Sequence, residues 1–251
     1  MINKKYLSGA FDRNDFPKLP CPTCRDGHVT LEKGSLFVDD PPYSVAHRQS
    51  SDWEPDWDVG RFSARLRCDQ SSCGEIVLVA GDTAVVELEG DDGDWGLVSV
   101  LRPQALFPAV PLITMPDQTS SEVHSELHKA FGLFWNDLDA AANRVRVAVE
   151  RLLDDLGVAT TAVNKKGKTI ELDLNGRIDA FGKHNADHKD AMTALRMIGN
   201  VGSHGKGVVR QALLDALEVF EYTLSELIGM KKQHMGVLKQ KLIASKGKYP
   251  T

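Results

Sequence analysis

Two close pairs of cysteines constrain this chain more than any other feature of its 251 residues. Cys21 and Cys24 frame the turn CPTC, and Cys68 and Cys73 frame the stretch CDQSSC, with Gly74 directly after it. Cysteines so spaced put two thiolates on one backbone knuckle, a geometry that reaches a single tetrahedral ion. Gly74 supplies the conformational freedom that a tight knuckle needs. Together the pairs predict a four-cysteine zinc ribbon in which Cys21, Cys24, Cys68 and Cys73 hold a structural Zn2+. Four thiolates fill the shell and leave no position for an activated water. His28 and His47 are spare ligand types that such a site does not need. The alternative is four cysteines that serve only as small core residues.

Disulfides are disfavoured by the expected compartment. No run of about 18 apolar residues is present that could span a bilayer. The start MINKKYLSGAF lacks the apolar core and small-residue cleavage site of a signal peptide. The expectation is a cytoplasmic protein with no membrane partner, whose thiols stay reduced and available to a metal.

Short Val- and Leu-rich runs surround the second knuckle. Phe62 to Arg67 leads into it, and Glu75 to Ala80, Ala84 to Glu89 and Trp95 to Leu101 follow, separated by Gly81-Asp82 and GDDGD. These read as strands of a small antiparallel sheet. Between the knuckles, residues 39–60 are acidic, contain prolines and show neither helical nor strand periodicity. They read as a long loop whose Trp53 and Trp57 either fold back on their own domain or dock a partner. Pro103, Pro108, Pro111 and Pro116 then forbid a regular helix. That stretch reads as an extended connector, with Leu106, Phe107, Val110, Leu112 and Ile113 lying against a surface.

From residue 119 onward the period changes. Thr119 or Ser120 can cap a helix marked by Val123, Leu127, Phe131 and Phe134. Leu138, Ala142, Val145, Val149, Leu152 and Leu156 mark a second that stops at Gly157. Arg146 and Glu150 form an i,i+4 ion pair on its polar side. Leu174, Ile178 and Phe181 start a third helix, and Ala191, Leu195 and Ile198 mark a fourth. Val209 to Leu227 carries the fifth stripe, with Gly229 at its end. Between the second and third, a Lys-rich turn around Gly167 holds a Gly-Lys-Thr triplet. Ala162 stands where a phosphate loop requires its upstream glycine, so a short hairpin or loop is the expectation. His124 with His128 and His184 with His188 stand at helical spacing, without the glutamate of a metalloprotease motif, and read as surface residues. The tail after residue 230 is lysine-rich and reads as a solvated segment or a frayed basic helix.

The fold class expected is therefore α+β. Residues 1–101 form a zinc-ribbon and small antiparallel β domain, 102–118 the connector, 119–230 a bundle of about five α-helices, and 231–251 a basic tail. The formal charge of −5 excludes a protein that coats nucleic acid wholesale, so any such contact must be local. Up to Met115 the chain has 11 basic and 18 acidic residues, and after it 19 and 17, which points to the second half as the partner of an anion.

One stretch of that half gathers polar chemistry. In LRMIGNVGSH, Arg196, Asn200 and His204 stand at four-residue steps with Gly199 and Gly202 between them. If the helix persists through Gly202, a cation, an amide and an imidazole share one face and can handle a phosphate. If the glycines break it, the three share only a junction between helices, which is the reading the glycines favour.

The order of these features resembles a known family: a CPTC knuckle, a strand into CDQSSCGE, a Pro-rich connector, NRVRVAVERLL, LNGRIDAF, and LRMIGNVGSHG before a long last helix. It is a family of domains of unknown function that joins a zinc ribbon to a helical domain related to the HEPN superfamily and recurs in restriction and anti-phage systems. The resemblance spans about Leu19 to Ile228. It implies a HEPN-like helical bundle that dimerises, and a defence-system partner protein. It also implies, as in many HEPN proteins, a metal-independent ribonuclease site. Arg196 would then stabilise charge on the phosphate, His204 would transfer a proton, and Asn200 would orient one of them. Seven residues separate Arg196 from His204, a wider spacing than the HEPN nuclease motif has. Three functions stay open: a sensor or effector module that binds RNA or DNA, a metal-independent endoribonuclease, and a structural adaptor.

Overall fold

The computed structural model describes residues 7–24, 26–89, 95–203, 207–229 and 231–245, the side chains of 88–89 and 231–236 excepted. The first half is an antiparallel sheet. Its strands are β1 (Leu19–Pro20), β2 (His28–Leu31), β3 (Phe37–Asp39), β4 (Arg61–Cys68), β5 (Ile76–Glu89) and β6 (Trp95–Phe107). They run in the order β1-β2-β4-β5-β6, with β3 also paired to β4. Strict alternation builds β4: Phe62, Ala64, Leu66 and Cys68 are buried, while Arg61, Ser63 and Arg65 between them are exposed.

Three sequence expectations change here. The runs on either side of Gly81-Asp82 are one strand, β5, with a bulge at Ala80/Gly81. A Cβ on Gly81 would lie 2.1 Å from the Arg102 carbonyl oxygen, so the glycine serves close approach of β6 and not a turn. Strand β6 runs on past Leu101 to Phe107, taking in Pro103 opposite Gly81, where a connector was expected. The supposed loop 39–60 is a folded cap. It contains α1 (Pro42–His47) and a 3-10 turn (Pro55–Trp57), clamped by Arg48, which binds Asp58 at 2.6 and 2.9 Å and Asp40 at 2.8 Å.

The second half is helical: α2 (Ser121–Leu133), α3 (Leu138–Asp155), α4 (Leu174–Gly182), α5 (Ala186–Ser203), α6 (Arg210–Leu227) and α7 (Lys231–Ala244). Among the described residues that makes six, against about five expected, because the tail is helical too. Ser120, Asp137 and Asp173 cap α2, α3 and α4 through side-chain oxygens that accept from Val123, Ala140 and Gly176 N–H groups. The central helix is α3, packed against α2, α4, α5 and α6. Between α3 and α4 lies the hairpin β7 (Thr161–Val163) and β8 (Thr169–Glu171).

One continuous core joins the halves. Phe11 bridges to Leu101 of β6 through backbone hydrogen bonds of 2.8 and 2.9 Å and meets the Trp135 ring edge-on at 5.7 Å. Val110, Leu112 and Ile113 of the proline-rich stretch are buried in the same core. Arg210 stacks on Phe134, 4.6 Å from its centroid, and donates to the Phe134 carbonyl at 3.1 Å.

Candidate functional site

The turn after β1 carries Cys21 and Cys24, and the junction of β4 with β5 carries Cys68 and Cys73. Because β1 pairs with β2 and β2 with β4, sheet register brings the two knuckles together. All four sulfurs lie within 4.8 Å of one another, with Cys21 to Cys73 at 3.8 Å and Cys24 to Cys68 at 3.6 Å. A tetrahedron with metal–sulfur bonds of about 2.3 Å has sulfur–sulfur edges of about 3.8 Å. The donor set and its spacing therefore fit a tetrahedral, thiophilic metal ion.

Both knuckles are built alike. Thr23 N–H points to Cys21 Sγ at 3.5 Å, and Gln70 N–H to Cys68 Sγ at 3.5 Å. Gly74 takes φ +61°, as the turn after the second pair demands. The Thr23 hydroxyl and the Glu75 carboxylate form a short hydrogen bond that straps one knuckle to the other. Sequence reading missed that strap, and it missed Gly27. A Cβ there would lie 2.7 Å from Cys68 Sγ, so a side chain would displace one sulfur of the cluster.

The thiols differ in acidity. Burial pushes Cys68 up to about 12. Cys73 is also raised: burial and hydrogen bonding with the Cys21 and Cys24 thiols outweigh the lowering effect of its hydrogen bond at Glu75. Cys24 is lowered, because its hydrogen bonds at Gly27 and with the other thiols outweigh the effect of burial. Ionising all four thiols this close together would require a bound cation to offset their charge.

The same sheet presents a second surface. Directly paired residues share a face, so register lays out rows across the strands. One row is Phe37, Ser63, Ala80 and Ala105, a second is Arg65, Leu78 and Phe107, and a third is Asp39, Arg61, Asp82 and Arg102. Facing away from the core, the first two rows line an open groove of about 700 Å3. Phe37 is 63% exposed and Phe107 76%. On this face Lys33, Arg61, Arg65, Arg67 and Arg102 meet Glu32, Asp39 and Asp82, so five cations stand against three carboxylates. Arg61 pairs with Asp82 at 3.0 Å, while Glu32 takes Arg65 and Arg67 and is held below the usual carboxylate range, chiefly by the Arg65 hydrogen bond. The hydroxyl of Tyr43 on α1 accepts from Arg61 at 3.1 Å, and Tyr43, His47 and Trp57 form an edge-on aromatic ladder beside it.

The LRMIGNVGSH stretch is helical through both glycines to Ser203. Cβ atoms on Gly199 and Gly202 would lie 2.3 Å from Arg146 Cβ and 2.4 Å from the Asp139 carbonyl oxygen. The glycines thus admit α3 and do not break the helix where a break was expected. Arg196 and Asn200 are half-buried, one turn apart. Arg196 Nε is buried with no hydrogen-bond partner among the described residues. His204 lies outside the described residues. Arg146 and Glu150 pair at 3.2 Å as expected. His124 and His128 stack at 6.4 Å on α2, whereas His184 precedes α5 and does not share a helix with His188.

No helix among the described residues is long and apolar enough to cross a membrane. No curated protein and no solved structure matches the chain. Two family models do: residues 9–99, with all four cysteines, match one described as Domain of unknown function (DUF8608), and residues 128–244, with α3 to α7, match one described as Domain of unknown function (DUF4145).

Proposed function

We propose that this chain is a nucleic-acid-binding sensor or effector module whose β domain is stapled by one structural zinc ion and whose helices form a HEPN-like, dimerising bundle. The reading extends to a prokaryotic defence or restriction-type system through the family resemblance of its sequence. The observation that carries it is the outer sheet face: five cations against three carboxylates, in a chain whose net charge is −5. Cationic residues there replace counterions along a phosphate backbone, so affinity falls as salt rises. Binding of labelled oligonucleotides over a salt series tests this. Lys33→Glu with Arg102→Glu is expected to weaken binding at least tenfold and to flatten the salt slope. No salt-dependent binding by the wild type would sink the reading and leave the structural adaptor. Metal analysis is expected to return one zinc per chain, and sedimentation a dimer.

A second reading, metal-independent endoribonuclease, is favoured by the unbroken run of α5, which keeps Arg196 and Asn200 on one face. In it Arg196 and His204 act on the phosphate and the ribose hydroxyl. Chelator-treated protein is then expected to leave 2′,3′-cyclic phosphate ends on RNA, and Arg196→Ala and His204→Ala to abolish them. Intact RNA at high wild-type concentration rejects it.

A further inference from the structure

We infer that the groove in the outer sheet face is a stacking platform for unpaired bases, so that the preferred ligand is a single strand and not a duplex. This rests on the nucleic-acid reading above but makes a separate claim about what is bound. Phe37 and Phe107 stand on opposite sides of a floor made by Ser63, Ala80 and Ala105. Strands about 4.8 Å apart place Phe37 on β3 and β6 residues some 14 Å apart, three strand steps. The floor residues carry the smallest side chains, so flat rings can descend between two phenyl walls. Leu78, 55% exposed, adds an apolar contact between them.

The rim decides the occupant. An apolar groove of this kind also suits a hydrophobic peptide, but Lys33 and the Arg65–Glu32 pair line it, Arg102 stands in the next row along the sheet, and the face around it carries five cations to three carboxylates. Aromatic faces within a cationic surface match a polyanion that carries flat rings. A duplex offers the cations its phosphates, yet hides its base faces in the stack and shows only edges in its grooves. An unpaired strand offers both, and each base can lie on an aromatic face whatever its identity. Stacking and backbone charge are common to RNA and DNA, so the two sugars are bound alike.

The test compares oligo-uridine, oligo-thymidine and a duplex of the same length, by competition against a labelled strand. The full-length, metal-loaded protein is used, with the Phe37→Ala, Phe107→Ala and Phe107→Tyr variants. Both strands are expected to bind at least tenfold tighter than the duplex. Each alanine variant is expected to lose about tenfold on the strands, in line with stacking, and to bring strand and duplex affinities together. Phe107→Tyr keeps the ring and is expected to restore strand binding. Both phenylalanines are exposed, so unchanged melting temperatures check that the variants fold. Equal affinity for strand and duplex with no effect of either alanine overturns the platform and leaves the nucleic-acid reading standing. Absence of all binding overturns both, and a strong preference for one sugar overturns the stacking account.

Discussion

At the scale of single residues, three glycines separate two physical demands. Gly74 needs its positive φ, but a Cβ added there would meet no atom within 4 Å, so its constraint is conformational alone. Gly27 and Gly202 need space. A methyl at Gly27 would meet Cys68 Sγ and Gln70 Cγ, both at 2.7 Å, and the sulfur has little room to retreat without leaving the cluster. Displaced supporting groups around a metal typically cost 10–100-fold in affinity. Gly27→Ala is therefore expected to weaken metal binding by about that factor, read by competition with a chromophoric chelator. Gly74→Ala is expected to cost about 1 kcal/mol of stability through its left-handed backbone. Similar metal affinity in Gly27→Ala and wild type would show that the ligands do not sit as described.

At the scale of elements, the pairing of α3 with α5 shows what a sequence can and cannot reveal. A methyl on Gly202 would lie 2.4 Å from the Asp139 carbonyl oxygen, a backbone atom that moves only with its helix. Overpacking of this kind costs about 1–3 kcal/mol, more than the roughly 1 kcal/mol that alanine gains over glycine in a helix. Gly202→Ala is expected to lower the melting temperature by several degrees, measured by helical ellipticity; a higher temperature would mean the helices are not in contact there. Glycine spacing alone fits both a helix break and a close approach, and only the packing of α3 decides between them. By contrast, the α3 stripe from Leu138 to Leu152 was legible because its period is local. The alternation of Arg61, Phe62, Ser63, Ala64, Arg65 and Leu66 was local too, and it already segregated charge from core along β4. Counting charges over the whole first half hid that segregation. The cap over residues 39–60 was illegible, since it depends on Arg48 reaching Asp40 and Asp58 and on buried Ser44 bonding Asp58 and Val59. The four cysteines were legible as two knuckles, but the Thr23–Glu75 strap between them exists only once β2 has paired with β4.

At the scale of the whole molecule, the cysteine cluster and the helices are linked through one core. Leu19, Cys21 and Cys68 belong to the same buried cluster as Leu101, Phe131 and Leu152. Phe11 ties β6 to Trp135 after α2, and Glu221 of α6 accepts from the Thr114 backbone N–H at 3.0 Å. Loosening the knuckles therefore exposes apolar surface that the helices also use. A metal that binds only the folded chain stabilises it by about 4 kcal/mol when its free concentration is 1,000 times Kd. For a chain of this size each kcal/mol moves the melting temperature by about 2–4 °C. Removing the metal with a chelator is then expected to lower the midpoint by about 8–16 °C, with tryptophan fluorescence and helical ellipticity falling together. The coincidence of the two probes is the decisive part, because Trp53, Trp57 and Trp95 belong to the half that carries the cysteines, whereas the long helices lie far along the chain from them. If the helical signal keeps its midpoint while tryptophan fluorescence shifts alone, the halves unfold independently and the shared core does not couple them.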